Sequence, residues 1–333
     1  MRARGKIRQK GVVLIAVVWS VFILAAMAFA LSALVRSSSD ELHARKEQLQ
    51  SYYVARGAVY RAISMLKQPM VQHGDARPFV PGQSRLEWDD AGRHIAIDVM
   101  DETGKLDLNA SSPAMLERLF QNLGMELEAA HSLTAAIEDW RDSDDETRPS
   151  GAESLYYLSL PRPYRPANRD FQSVDELLLV RGVTQQLLYG GYRVRPEDGV
   201  VERQVGLIDC LTVASGNSSV NINYAPMPVL MTVPGMTPMV ASLIVEGRKR
   251  KPFDSVGEFV HDYPVLLSGE TLSHLTGGST GPYTLIASAA ADDGVTARIR
   301  AVVQVNGLQV NMGGRLMPGP PFLIREWDDS YVR

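Results

Sequence analysis

The residues with the most evident chemistry are carboxylates. In "EDWRDSDDETRPSGAESLYYLSLPRPYRPANRD", residues 138–170, Asp139, Asp142, Asp144, Asp145 and Glu146 crowd the end of a predicted helix, where the helix dipole disfavours negative charge. A bound cation would neutralise them. With Asp142 counted as position 1, Asp144, Glu146 and Glu153 take positions 3, 5 and 12, the oxygen-ligand spacing of a calcium loop. The usual glycine at position 6 is Thr147 here, so the match is partial and does not make an EF-hand. Oxygen ligands without histidine or cysteine beside them favour Ca²⁺ over zinc or copper. A plain solvated acidic loop would have the same composition, and spacing alone leaves both readings open.

The elements around this cluster come in duplicate. One segment opens "KLDLNASSPAMLERLFQNLGMELEAAHSLTAAIEDWR" and the other "VNINYAPMPVLMTVPGMTPMVASLIVEGRKR". Each has a strand-like lead-in ending in asparagine (Asn109, Asn223) and a proline suited to a first helical turn (Pro113, Pro226). Each continues with a Gly-Met hairpin (Gly124, Gly235) and an Ile and Arg four apart (Ile137/Arg141, Ile244/Arg248). Both then resume with matching text, "FQSVDELLLV" and "FDSVGEFV", in which Ser173 with Glu176 and Ser255 with Glu258 fit capping boxes. The acidic stretch is an insertion of about twenty residues in the first copy only, and insertions of that length in compact modules are often functional. The unit resembles the helix-hairpin-helix repeat. That repeat meets DNA phosphates through a Gly-x-Gly backbone, but Glu126 and Thr237 replace the second glycine.

The chain begins with a basic leader in which Arg2, Arg4, Lys6, Arg8 and Lys10 all precede Gly11, and no charge follows from Val12 to Val35. Those twenty-four residues reach roughly 36 Å as a helix, enough to cross a bilayer. The basic flank puts the N-terminus in the cytoplasm. The uncharged run is too long for the apolar stretch of a cleavable signal, about 7–15 residues. Leu42, Leu49, Tyr52, Tyr53, Val59, Ile63 and Leu66 then recur at helical spacing. The reading is one helix over about 12–67, ended by Pro69 and Gly74. Formal net charge is −4, and without the five leader positives it is −4 − 5 = −9, which argues against nonspecific nucleic-acid binding. The lone Cys210 permits no internal disulfide and reads as a small buried residue.

This layout resembles the type IV pilin family, in which a prepilin peptidase cuts directly after the leader glycine. The resemblance places the cut between Gly11 and Val12, leaves the apolar helix on the mature chain and implies methylation of the new amino terminus. Pilins carry a glutamate five residues into the mature chain; here that position is Ala16. A carboxylate at bilayer depth costs about 2.5–3.5 kcal/mol on insertion scales and so needs a partner, thought to be the amine of the subunit above. A subunit at a filament tip has no such partner.

With the insertion text added, the chain resembles the minor pseudopilin K family of type II secretion over essentially its whole length. The resemblance implies an α+β fold: a pilin-like long N-terminal helix plus a small antiparallel sheet, interrupted by a large α-helical insertion containing two helix-hairpin-helix/SAM-like units. The implied divisions are a leader over 1–11, a transmembrane half-helix over 12–35 and a pilin-like domain in two parts, 36–109 and 276–333. The α-domain between them, 110–275, divides into units of about 110–205 and 220–275. Residues 283–306, "YTLIASAAADDGVTARIRAVVQVN", read as a hairpin that returns the chain to the sheet. The resemblance implies a calcium site held by Asp139, Asp142, Asp144, Glu153 and Asn168, with Asp145, Glu146 and Asp170 as second-rank ligands. It also implies a single-pass inner-membrane protein with a periplasmic head that caps the pseudopilus tip. The implied partners are the other minor pseudopilins (I, J and H types), the major pseudopilin, the prepilin peptidase and the inner-membrane assembly platform.

Sequence patterns for enzymatic chemistry are missing: there is no phosphate loop, no Gly-x-Ser-x-Gly elbow, no His-Glu-x-x-His and no Cys-x-x-Cys. The expectation is therefore a structural protein. The competing reading is a signal-anchored DNA receptor of the competence type, holding phosphates with Arg248 to Lys251. Glu126, Thr237 and the acidic insertion count against it, and nucleic acid is not an expected partner.

Overall fold

The computed structural model describes residues 10–67, 85–90, 92–195, 199–278, 281–291, 294, 296–305, 309–312, 315–318 and 320–329. Residues 1–9 of the leader, the helix stops expected at Pro69 and Gly74, and residues 292–293 of the expected hairpin turn lie outside them. A single helix, α1 (Lys10–Lys67), opens the chain. Residues 14–36 of it are exposed on all sides, Trp19 and Phe29 included. Its best 18-residue window has a mean hydropathy of 2.7, and among the described residues it is the one helix long and apolar enough to cross a membrane. Strands β1 (Arg85–Asp90) and β2 (Arg93–Asp101) follow.

The chain then leaves for a helical body. Its first unit holds β3 (Leu106–Asp107), α2 (Pro113–Asn122), α3 (Leu127–Arg141), α4 (Ser154–Leu158), α5 (Gln185–Tyr189), the ribbon β4 (Tyr192–Val194) and β5 (Val201–Arg203), and β6 (Leu211–Thr212). The second unit holds β7 (Val220–Asn221), α6 (Met227–Leu230), α7 (Pro238–Arg250), α8 (Val256–Asp262), α9 (Gly269–Ser273) and β8 (Leu275–Thr276). The chain returns through β9 (Tyr283–Ala291), β10 (Thr296–Val305), the small pair β11 (Gln309–Met312) and β12 (Arg315–Pro318), and β13 (Phe322–Asp328).

The sheet is antiparallel, in the order β1-β2-β9-β10-β13. Alternation puts Ile95, Ile97 and Val99, Leu285, Ala287 and Ala289, and Ile299, Ala301 and Val303 on the buried face. Against that face lie Ala55, Ala58, Val59, Ala62 and Ile63 of α1. Alanines on both sides allow close approach of helix and sheet. Buried Arg93 fastens the two layers: it donates to Ser51 Oγ and Gln50 Oε1 at 3.0 Å each and pairs with Glu47.

This corrects the apolar stripe read along the helix. Val59 and Ile63 are in the core, but Leu42, Leu49 and Tyr53 are more than half exposed. The sheet underlies only the last part of α1, so the earlier positions have no layer to pack on.

The helical body departs and returns at paired residues. Asp101 is opposite Tyr283 in the β2–β9 register, and Glu102 N–H donates to Pro282 O at 2.8 Å. The excursion therefore spans 102–282, against the 110–275 expected. It has its own core, built around Phe120, Trp140, Tyr157, Phe171, Ile244, Phe253 and Phe259. Cys210 sits in that core, and burial pushes its thiol up to about 12.

Candidate metal centre

The two units are held by the same fasteners. Asn109 Nδ2 donates to Phe171 O at 3.0 Å and its Oδ1 accepts from Phe171 N at 2.9 Å. Asn223 does the same with Phe253, at 2.8 Å both ways. Arg141 donates to the Leu108 and Ser111 carbonyls, and Arg248 to those of Ile222 and Ala225. The parallel pairs β3–β6 and β7–β8 close the units alike: Leu106 N–H and Leu108 N–H meet Cys210 O and Thr212 O, and Val220 N–H and Ile222 N–H meet His274 O and Thr276 O. These bonds give the paired residues their roles: each Arg ties a helix end to the lead-in, and each Asn ties the lead-in to the segment before the next helical turn. The capping boxes correspond less well. Ser255 Oγ accepts from Glu258 N–H, whereas Ser173 makes no side-chain cap. In both units the glutamate accepts from the residue before the serine, Gln172 or Asp254.

The fasteners also consume what a DNA site would need. Arg248 is tied to two carbonyls, Lys249 pairs with Glu246 and Lys251 with Glu258. The hairpin N–H groups of Gly124, Met125 and Met236 bond to Gln121, Phe120 and Val233 carbonyls. Arg250, the remaining cation of the run, is exposed, so the run is engaged in its own fold in part.

The first unit carries the acidic insertion between α3 and its Phe171 fastener. Because α3 runs to Arg141, Asp139 falls in its last turn and is fully buried. The loop then bends back so that Glu153, just before α4, meets it. Carboxylate oxygens of Asp139, Asp142 and Glu153 lie within 4.8 Å of one another. Oxygens that share one calcium at about 2.3–2.6 Å stand no more than about 5 Å apart, so the trio fits one ion. Both Glu153 oxygens, Asp142 Oδ1 and Asn168 Oδ1 are buried and accept no hydrogen bond. Buried carboxylate oxygens without donors are costly, and a hard cation would supply what they lack. Burial, then the charges of Asp139, Asp142 and Asp145, raises the Glu153 carboxyl to about 7.

Not all eight expected residues converge. Asn168 is tied to the loop by backbone and side chain: its N–H donates to Trp140 O at 3.0 Å and its side-chain Nδ2 to Asp144 O at 2.7 Å, with φ at +45°. Asp145 is exposed and accepts from Ser154, which holds its carboxyl below the ordinary value. Asp144 is exposed and turns its Oδ1 to Glu146 N–H at 2.8 Å. Glu146 is exposed as well. Asp170 lines a cleft of about 330 Å³ between the helical body and the sheet, with Lys105 and Arg325. Positions 1 and 12 of the 1-3-5-12 spacing, Asp142 and Glu153, come together, while positions 3 and 5, Asp144 and Glu146, are exposed. The third carboxylate of the group, Asp139, precedes the loop and was expected from the resemblance, not from the loop spacing.

Two further residues shape the centre. Arg148 Nη1 is 2.9 Å from Asp139 Oδ1 and also bonds Asp142, while its Nε is 3.5 Å from Glu138. Gly151 lies against the Asp139 carboxylate. Trp140 stacks among Tyr157, Tyr164 and Phe171 beneath the centre.

Comparison with known proteins assigns these elements to a family. Two family models, both described as type II secretion system (T2SS), protein K, match residues 97–190 and 220–273, one on each unit. Type II secretion system protein K of Pseudomonas aeruginosa is 28% identical over 278 residues, covering 75% of this chain and 76% of that protein. The namesake from Pectobacterium carotovorum subsp. carotovorum is 28% identical over 204 residues, covering 54% of this chain and 60% of that protein. Among solved structures, a chain of the GspK-GspI-GspJ complex from the enterotoxigenic Escherichia coli type 2 secretion system superposes with a TM-score of 0.60. It covers 88% of this chain and 100% of that one at 14% identity, which is a likeness of fold.

Proposed function

The chain belongs to the type II secretion system protein K family, and from that premise we propose that this minor pseudopilin caps the tip of the pseudopilus and helps nucleate it. The observation that carries the reading is where the helical body leaves the sheet. An excursion over 102–282, anchored at Asp101 and Tyr283, makes the head far wider than a helix and five strands, which hinders side-by-side packing in a shaft and is tolerated at an end. Ala16 agrees, because a subunit with nothing above it has no use for a buried acid there.

In this reading the prepilin peptidase cuts between Gly11 and Val12, the new amino terminus is methylated, and the apolar half of α1 stays in the inner membrane with the head in the periplasm. Extraction of that helix by the assembly platform suits a span free of ionisable side chains. The I- and J-type minor pseudopilins are the closest expected partners, by likeness to the complex above, followed by the H type and the major pseudopilin. Exposed Leu42, Leu49 and Tyr53 would pack on neighbouring helices. The acidic centre holds calcium as a structural ion, with Asp142, Glu153, Asn168 and Asp139 as ligands. The ion neutralises acids that the fold has buried.

The test is intact mass of the membrane-extracted chain, with and without prepilin peptidase, followed by co-purification with I- and J-type pseudopilins. Loss of residues 1–11 only with the peptidase, and a stable complex, is the expected result. An unprocessed chain that joins no complex would overturn the assignment.

A further inference from the structure

We propose that Arg148 competes with calcium for the acidic centre: its guanidinium holds oxygens of Asp139 and Asp142 that calcium would need, and metal binding expels it. The inference rests on the calcium reading given above.

The centre is divided between two kinds of oxygen. Those that Arg148 reaches, Asp139 Oδ1 and Asp142 Oδ2, are satisfied. Those it does not reach, Asp142 Oδ1, both oxygens of Glu153 and Asn168 Oδ1, are buried and unpartnered. Among the described residues Arg148 is thus the one cation paired with Asp139 and Asp142, while Glu138 is shared between Arg148 and Arg141. Calcium takes about six to eight oxygens, more than the four orphans provide. The further oxygens of the same carboxylates are Asp139 Oδ2, which accepts only the Arg148 backbone N–H, and the two that the guanidinium holds. Two cations cannot share those oxygens, since their mutual repulsion acts at contact distance in a partly desolvated site.

The guanidinium has a way out and a place to go. Its side chain is 38% exposed, on a loop between Asp142 and Glu153 with neither helix nor strand. Glu138, already 3.5 Å from Nε and shared with Arg141, can keep hold of the displaced guanidinium. The loop need not open when the side chain leaves: Arg148 N–H donates to both Asp139 oxygens at 3.3 Å, and Gly151 N–H to Arg148 O at 2.8 Å. Arg148 therefore keeps the metal-free centre folded and discounts calcium affinity by the fraction of centres it has vacated.

The full chain in detergent, stripped with EDTA and titrated with calcium chloride by calorimetry, tests this. Arg148→Gln is expected to bind calcium about ten-fold more tightly, to melt lower than wild type without metal, and to melt near wild type at saturating calcium. Arg148→Lys should fall between. Equal or weaker affinity in Arg148→Gln overturns the proposal, because a merely structural arginine would lower affinity on removal. If wild type, Asp142→Asn and Glu153→Gln all fail to take up calcium, the calcium reading itself is what fails. Should Arg148→Gln not fold, the Nε–Hε NMR signal of Arg148, assigned by its loss in Arg148→Lys, must move to the free-arginine position on adding calcium; a signal that stays overturns the proposal.

Discussion

A Cβ placed on Gly151 would stand 2.0 Å from Oδ2 of Asp139. The acidic centre is therefore built against bare backbone, and Gly151 is not among the glycines with positive φ, so a larger residue is opposed by contact and not by backbone strain. Gly151→Ala must push the carboxylate away from Asp142 and Glu153. We expect calcium affinity to fall at least about ten-fold and stability to drop by about 1–3 kcal/mol, the range for overpacked sites. Calorimetry with calcium and denaturant unfolding would check both.

The raised Glu153 carboxyl, at about 7 against an ordinary 4.5, makes stability depend on pH in a sense that calcium reverses. In the metal-free chain the folded form holds this proton above the pH at which the unfolded form releases it. The stability tied to Glu153 is then full below about 4.5 and is lost as pH rises through about 7. Calcium requires the ionised form, so its affinity should rise between about pH 6 and 8 with release of a proton. Titrations in buffers of different ionisation enthalpy would detect that proton; identical heats across buffers would count against it.

Asn109 and Asn223 are predicted to be the most sensitive polar positions of the helical body. Asn223 is buried and satisfies both backbone groups of Phe253. Asn223→Ala leaves that N–H unpaired, while the carbonyl keeps Gly278 N–H at 3.0 Å, at a cost of about 1–3 kcal/mol. Asn109, partly exposed, should cost about 1–2 kcal/mol by the same change. Chemical denaturation of the two variants would rank them; equal, near-zero losses would show that the fasteners are dispensable.

Ala16→Glu tests the tip position. A glutamate there adds about 2.5–3.5 kcal/mol to burial in the bilayer without a partner from a subunit above. Cleavage after Gly11 should persist while recovery in complexes with other pseudopilins falls. Full secretion by this variant would remove the argument from Ala16.

Much of the architecture was legible in linear order because it is periodic or duplicated. The uncharged run from Val12 to Val35 and the terminator-free stretch behind it marked α1 to within two residues of its start at Lys10. The alternation in 93–101 and 283–305 marked three sheet strands, β2, β9 and β10. The duplicated Asn and Arg positions were visible as text, although their bonds to Phe171, Phe253 and the lead-in carbonyls were not. Strand β13 escaped notice because "FLIREWD" has no strict alternation.

The sequence by itself determined the long first helix with its membrane-length span and the strands that alternate strictly, since those follow from residue order and period. It also determined that a cluster of acids interrupts the first of two like units. Only the tertiary structure decided which acids form a centre. Asp139 lies in the last turn of one helix, Glu153 just before another, and Asp142 at the bend between them. Their convergence depends on where α3 ends, on a glycine small enough to admit the Asp139 carboxylate, and on the packing of Trp140, Tyr157 and Phe171 that sets the loop's two ends side by side. Distances between residues far apart along the chain are products of packing, and no local spacing encodes them.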